Sequence, residues 1–218
     1  MSGPFSIPVV HEEAGLLAVD KPEGISTIPE RDPAVPSVQK LLEEARGERL
    51  FVVHRLDREV SGVVLFARDA EVHRALSIAF ETRAVEKTYL AVAHGRIEHD
   101  RGTIDRPIAQ FGSGRMGVHE GRGKTSRTDF VVTARHASAT EVEVHPVTGR
   151  RHQIRVHFHV IGHALVGDPR YGDLAQQAAW PRLMLHAFRV RAPLFGRHVE
   201  VEVPPPESYR AVLASLRG

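Results

Sequence analysis

The carboxylate of Asp57 stands among His54, Arg55 and Arg58 in the segment His54-Arg55-Leu56-Asp57-Arg58-Glu59-Val60-Ser61-Gly62. On either side lie short β-branched or aromatic runs, Phe51-Val52-Val53 and Val63-Val64-Leu65-Phe66-Ala67, with the composition of buried strands. Asp57 is therefore read onto a loop hung between rigid elements. Such a loop can expose a catalytic group and still hold it in place. The same charges also suit an ion-paired surface turn, and the residues of this segment alone leave both readings open.

A second cluster runs from Thr148-Gly149-Arg150-Arg151 into His152-Gln153-Ile154-Arg155-Val156-His157-Phe158-His159. Ile154, Phe158 and Ile161 recur at helical spacing and Gly162 supplies a stop, so the pattern predicts a helix. Arg151, Arg155 and His159 then share one stripe. Arginines in the first turns oppose the helix dipole and repel one another at a spacing of four. An anion facing the stripe repairs this, either a phosphate or a carboxylate such as Asp57; the alternative is a solvated basic face. Histidines at 152, 157, 159 and 163 raise a metal-hydrolase reading. On a helix 157 and 159 point apart, and 159 and 163 share a face only if the helix passes through Gly162, so this pattern is weak.

The elements that must carry these groups follow from patterning. Strands are expected at 16–19, 51–53, 63–67, 87–93, 183–190 and 199–203, with a hairpin from 129–134 and 140–145. Helices are expected from Ser37 to Ala45, with Val38, Leu41 and Leu42 inward, and from Ala70 to Thr82, with Val72, Leu76, Ala79 and Phe80 inward. A final helix is expected near 207–216, after Pro204-Pro205-Pro206. Strands outnumber helices without regular alternation, which gives an α+β chain with a largely antiparallel mixed sheet. Gln110 to Arg127, with five glycines among Arg115, His119, Arg122, Lys124 and Arg127, reads as a mobile basic loop or as an ordinary flexible hairpin connection, and its composition leaves both open.

Six segments carry a likeness to a known family. Leu17-Ala18-Val19-Asp20-Lys21-Pro22, the His54-to-Gly62 segment, Lys87-Thr88-Tyr89, Arg106-Pro107-Ile108, Thr148-Gly149-Arg150 with His152-Gln153-Ile154-Arg155-Val156-His157, and Gly167-Asp168 with Tyr171-Gly172 resemble, in order and spacing, the RluA-type pseudouridine synthases. His54 fits the RluA branch; the RsuA branch usually has glycine there. Val60 departs from the threonine common before the Ser-Gly pair, which bears on loop packing more than on chemistry.

The resemblance implies a pseudouridine synthase core with a central catalytic cleft. The chain is then expected to be an RNA pseudouridine synthase, detaching uracil from ribose and reattaching it through carbon, with neither cofactor nor metal. Asp57 matches the family's nucleophile. Burial under a flipped base pushes an aspartate toward its neutral, unreactive form, whereas a cation within about 4–6 Å opposes this; Arg155 matches the arginine in that role. Tyr89 matches the family's tyrosine, able to stack on the base and assist proton movement, or is simply a half-buried strand residue. Arg55 is expected to fill the space a flipped base leaves, or to contact a phosphate. Lys87 is counted among the RNA contacts, and His54, Arg150, His152 and Gln153 are expected as secondary RNA contacts or as residues that orient loops.

Composition agrees with this reading. At 218 residues the chain reads as one catalytic domain over 1–218, burying about 70% of its unfolded surface, with no separate RNA-binding domain ahead of the first motif. The absence of cysteine rules out disulfides and thiolate metal sites. No apolar run nears the roughly 18 residues of a membrane span, so the chain is expected in the cytoplasm; a tRNA or ribosomal RNA stem-loop is the partner that the resemblance implies, and the chain is expected to act on it as a monomer. A net charge of +2 is modest, but the arginines and lysines gather around Asp57, along 115–127 and at 150–155.

Overall fold

The computed structural model describes residues 7–32 and 34–217. The chain divides into two compact units, the first made of Met1–Glu86 and Ala187–Pro204, the second of Lys87–His186 and Pro205–Gly218. The backbone therefore crosses from one to the other three times.

In the first unit, β1 (Val9–Glu13) and β2 (Leu16–Lys21) form an antiparallel pair, followed by α1 (Val38–Arg46), β3 (Phe51–Val52), β4 (Ser61–Ala67) and α2 (Ala70–Glu81). β2 and β3 both pair antiparallel with β4, all seven of whose residues are buried. Ser37 caps α1 by accepting from the Lys40 N–H, and Asp69 caps α2 by accepting from the Val72 N–H at 2.8 Å. Val72, Leu76 and Ala79 of α2 pack with Leu16, Ala18, Val63, Leu65 and Ala67 into one core, and Phe80 lies against it half-buried. Gly62 answers a steric demand: its φ is +115°, and a Cβ there would lie 2.2 Å from the Ala187 carbonyl oxygen.

The second unit contains β5 from Lys87 onward (Glu86–His94), β6 (Arg101–Asp105), β7 (Ile108–Gln110), β8 (Met116–Val118), β9 (Arg127–Arg135), β10 (Ala139–Pro146), α3 (Gln153–Val160) and α4 (Leu174–Ala178). Strand β11 (Leu185–Leu194) starts in this unit and ends in the first, where β12 (Arg197–Glu202) pairs with it; α5 (Glu207–Arg217) belongs to the second. β5, β10, β9 and β6 lie side by side, antiparallel throughout. The expected hairpin is β9–β10, bulged at Glu141–Val142. Tyr209 and Val212 of α5 pack on Val92, Ala139, Val166 and Met184. The arrangement is the α+β class with largely antiparallel sheet that strand order implied.

Of the two readings of Gln110 to Arg127, the structure has the hairpin: β7 and β8 pair in register Ile108↔Val118 to Gln110↔Met116, and Ile108 and Lys124 exchange both backbone hydrogen bonds, at 3.0 and 2.9 Å. Ile108, Met116 and Val118 seat it on Val156 and Tyr171. Glycines hid the alternation that marks a strand. Helix α3 starts at Gln153, not before Arg151, with His152 as its cap in the left-handed region at φ 56°. Arg150 and Arg151 stay in the preceding turn, outside the helix. The basic stripe does not form, since Arg151 is exposed outside the helix and Arg155 is 0% exposed.

Candidate active site

In the first unit the Asp57 loop is held from several directions. Lys21, fully buried, donates from Nζ to the carbonyls of Pro22 at 2.8 Å, Ile25 at 2.7 Å and Arg58 at 3.3 Å. A buried ammonium persists only when its protons are taken up in this way. Gly24 and Arg58 add a reciprocal pair: the Gly24 N–H donates to the Arg58 carbonyl at 2.8 Å, and Arg58 Nε donates to the Gly24 carbonyl at 2.9 Å. Thr27 Oγ1 accepts from the Leu56 N–H at 3.1 Å and donates to the Leu56 carbonyl at 3.0 Å. The Val60 N–H closes the turn on the Asp57 carbonyl at 3.1 Å. Val60 is 2% exposed, so the departure from threonine places an apolar side chain where water is excluded. Asp57 is half-buried and Arg55 exposed.

His54 stacks on Phe80 with ring centroids 4.8 Å apart, and its Nε2 accepts from the Leu65 N–H at 2.9 Å. β3 stops at Val52, paired with Phe66, so the imidazole takes a β4 amide that a third strand residue would have bonded. Of the two roles expected for His54, these contacts support loop orientation.

In the second unit Tyr89 lies on β5 opposite Val144, half-buried. Lys87, two residues before it and so on the same face, donates from Nζ to the Thr148 carbonyl at 3.3 Å. Burial lowers its pKa to about 8. Thr148 opens the turn into α3, and Gln153 locks it. The Gln153 amide donates to the Arg127 carbonyl at 2.9 Å and Thr128 Oγ1 at 3.0 Å, and accepts from Thr148 Oγ1 at 2.6 Å and the Arg150 N–H at 3.0 Å. Those four bonds use two donors and two acceptor sites, which supports an orienting role for Gln153, not RNA contact. Arg150, half-buried, reaches the Thr125 carbonyl from Nε at 3.3 Å.

Arg155 and Asp168, both fully buried, form a two-pronged pair, Nε to Oδ2 at 2.8 Å and Nη2 to Oδ1 at 2.8 Å. Within this unit Asp168 supplies one anion opposite the arginine. The Arg155 guanidinium carbon also lies 5.5 Å from the centre of the buried Tyr171 ring, and that of Arg115 5.1 Å from it. Tyr171 bonds His152 Nδ1 through its hydroxyl at 2.9 Å, and burial pushes its pKa up.

The remaining histidines are spent singly. His157 Nε2 bonds the Arg106 carbonyl at 3.0 Å and Nδ1 bonds Thr128 Oγ1 at 2.8 Å, and burial lowers its pKa. His163 bonds the His94 carbonyl at 2.9 Å. Among the described residues no three His, Asp or Glu side chains gather as a metal site. Sequence reasoning missed Thr27, which carries no local signal, and gave no task to Lys21, Asp168 or Tyr171, although each stood in a quoted motif.

Comparisons with known proteins agree with one another. The family model for RNA pseudouridylate synthase matches residues 15–160. The chain is 34% identical over 233 residues to the uncharacterized RNA pseudouridine synthase YlyB of Bacillus subtilis, covering 100% of this chain and 75% of that protein. It is 37% identical over 187 residues to the dual-specificity RNA pseudouridine synthase RluA of Vibrio vulnificus, covering 82% and 74%. Identity to ribosomal large subunit pseudouridine synthase C of Haemophilus ducreyi is 33% over 224 residues, covering 96% and 69%. Among solved structures, human RNA pseudouridylate synthase domain containing 1 superposes with a TM-score of 0.79 at 31% identity, covering 92% of this chain and 84% of that one. On these grounds the chain belongs to the RNA pseudouridylate synthase family and is an RNA pseudouridine synthase of the RluA type.

Proposed function

We propose that the chain isomerises specific uridines in a stem-loop of ribosomal RNA or tRNA, with Asp57 as nucleophile on a base flipped out of its stack. One observation carries the assignment of Asp57. The backbone on both sides of this half-buried carboxylate is clamped by Lys21, Thr27, Arg58 and the His54 ring. A surface ion pair does not require a loop fixed by hydrogen bonds at four points, the Thr27 one fully buried; a nucleophile that must meet one sugar carbon does.

The carboxylate either attacks that carbon or assists elimination to a glycal. In both routes the bond from ribose to nitrogen breaks and a bond from ribose to carbon replaces it, with no net hydrolysis and no redox change. A carboxylate covered by a base loses solvation and becomes harder to ionise. Arg155 is proposed to offset this, Tyr89 to stack on the base and assist proton movement, and Arg55 to occupy the vacated stack. Extruding a base costs a few kcal/mol, least where pairing is already weak, which favours a loop or an imperfect stem. Lys87, Arg150 and His152 are proposed to support the RNA-facing turn.

The ribosomal large subunit synthase among the relatives supports ribosomal RNA as a candidate substrate, and tRNA is proposed beside it. The chain is proposed to act as a monomer in the cytoplasm; among the described residues no helix is long and apolar enough to cross a membrane. The test is pseudouridine mapping of total RNA from cells lacking the chain, complemented by the wild type or by Asp57→Asn. The wild type restores the missing mark and Asp57→Asn does not; restoration by Asp57→Asn refutes the assignment.

A further inference from the structure

We propose that Asp168 is a positioning residue of the reaction, fixing the guanidinium of Arg155 in one plane so that its other N–H groups are presented in a set direction. The inference rests on the role proposed above for Arg155. An arginine side chain has several rotatable bonds, and two parallel hydrogen bonds to one carboxylate remove most of that freedom. Here the pair uses Nε and Nη2, at 2.8 Å each, with both side chains fully buried. Once that edge is fixed, so are the directions of the other three N–H groups.

Asp168 is itself immobilised. Oδ1 also accepts from the backbone N–H of Arg170 at 2.9 Å and of Tyr171 at 3.2 Å, so the carboxylate makes four hydrogen bonds. Its own N–H donates to Gln177 Oε1 at 3.2 Å, and Gln177 Nε2 ties down the carbonyls of Leu165 and Tyr171 at 3.0 and 3.2 Å. Gly167 delivers the turn at φ +71°, where a Cβ would lie 1.8 Å from the Arg182 carbonyl oxygen. The Tyr171 ring then lies beside the guanidinium at 5.5 Å, anchored through its hydroxyl to His152 at the head of α3. The Gly-Asp and Tyr-Gly pairs of residues 167–172 thus form a single clamp. Stability alone does not call for it, because a buried ion pair is often no better than apolar groups of the same size. What apolar groups cannot supply is direction. The pair is also neutral as a unit, so Arg155 offers aimed hydrogen bonds more than a bare charge.

The test uses the full chain and RNA isolated from cells lacking it, reading RNA affinity and the single-turnover rate of pseudouridine formation separately. Asp168→Glu keeps the charge but moves the carboxylate by about the length of one carbon–carbon bond. A misplacement near 1 Å costs on the order of 100-fold in rate. Asp168→Glu is therefore expected to bind RNA as the wild type does and to react about 100-fold more slowly, with Asp168→Asn slower still. A wild-type rate in Asp168→Glu overturns the proposal, as does loss of affinity and rate in equal measure. Should neither variant fold, nitrogen-15 NMR of the wild type decides, with Arg155→Lys to assign the signal. An Arg155 Nε–H protected from solvent exchange supports the clamp, and one exchanging like an exposed arginine refutes it. Asp57→Asn assayed in parallel separates the two readings: activity in that variant refutes the nucleophile, while its silence beside a fully active Asp168→Glu refutes only the clamp.

Discussion

Replacing Thr27 by valine keeps the side-chain shape and removes one hydroxyl. That hydroxyl, 2% exposed, makes two hydrogen bonds to Leu56, accepting from its N–H at 3.1 Å and donating to its carbonyl at 3.0 Å. A neutral hydrogen bond contributes about 1 kcal/mol net, and a buried polar group left without a partner costs about 1–3 kcal/mol. Leu56 is 6% exposed, so water does not readily replace the hydroxyl. Thr27→Val is therefore expected to destabilise the loop by about 2–3 kcal/mol, raising the population of its open form roughly 30- to 150-fold. Amide hydrogen exchange at Leu56 reads that population directly and should quicken by the same factor. Because Asp57 is the next residue, single-turnover pseudouridine formation should fall at least about 10-fold while RNA affinity holds. Thr27→Ser, which keeps the hydroxyl, should preserve the protection of Leu56. Unchanged exchange at Leu56 in Thr27→Val would refute the clamp, and quickened exchange with full activity would refute its link to catalysis.

Gly167→Ala sets a Cβ 1.8 Å from a backbone oxygen at a left-handed φ, so a loss of about 2–5 kcal/mol is expected; a melting temperature within a degree of the wild type contradicts this. Gln153→Leu strips a partner from two groups on β9 and two in the turn before α3 and should cost about 3–5 kcal/mol, checked by denaturant unfolding at constant slope. Burial lowers Lys87 from 10.5 to about 8, so between those values the unfolded chain holds a proton that the folded chain has lost, and stability rises with pH. The stability of Lys87→Met relative to the wild type is then highest below pH 8 and declines toward pH 10.5; parallel curves refute the assignment.

What the sequence disclosed depended on whether a signal was local. Helix α2 was legible because Val72, Leu76 and Ala79 recur on one face, and β9–β10 because apolar residues alternate on either side of a short turn. β1 escaped notice because its five residues are exposed or half-buried and show no buried face. A hairpin connection was open for the glycine-rich segment, but strands β7 and β8 were not assigned because glycine carries no periodicity. The loop around Asp57 was located from its flanking strands, but its clamp was not: Thr27 lies 29 residues from Leu56 and Lys21 37 from Arg58. The arginines of 150–155 were read as one basic helix face; the structure starts α3 later, at Gln153, and pairs Arg155 with a carboxylate 13 residues downstream, which spacing alone does not point to.

The central claim is that the oxygen of Asp57 reacts with the sugar of a uridine. Mapping pseudouridine in RNA from cells that carry only Asp57→Asn tests it most directly, since the amide keeps the shape of the loop and removes the nucleophile. The account predicts ordinary uridine at every position that the wild-type chain converts; pseudouridine at those positions would contradict it.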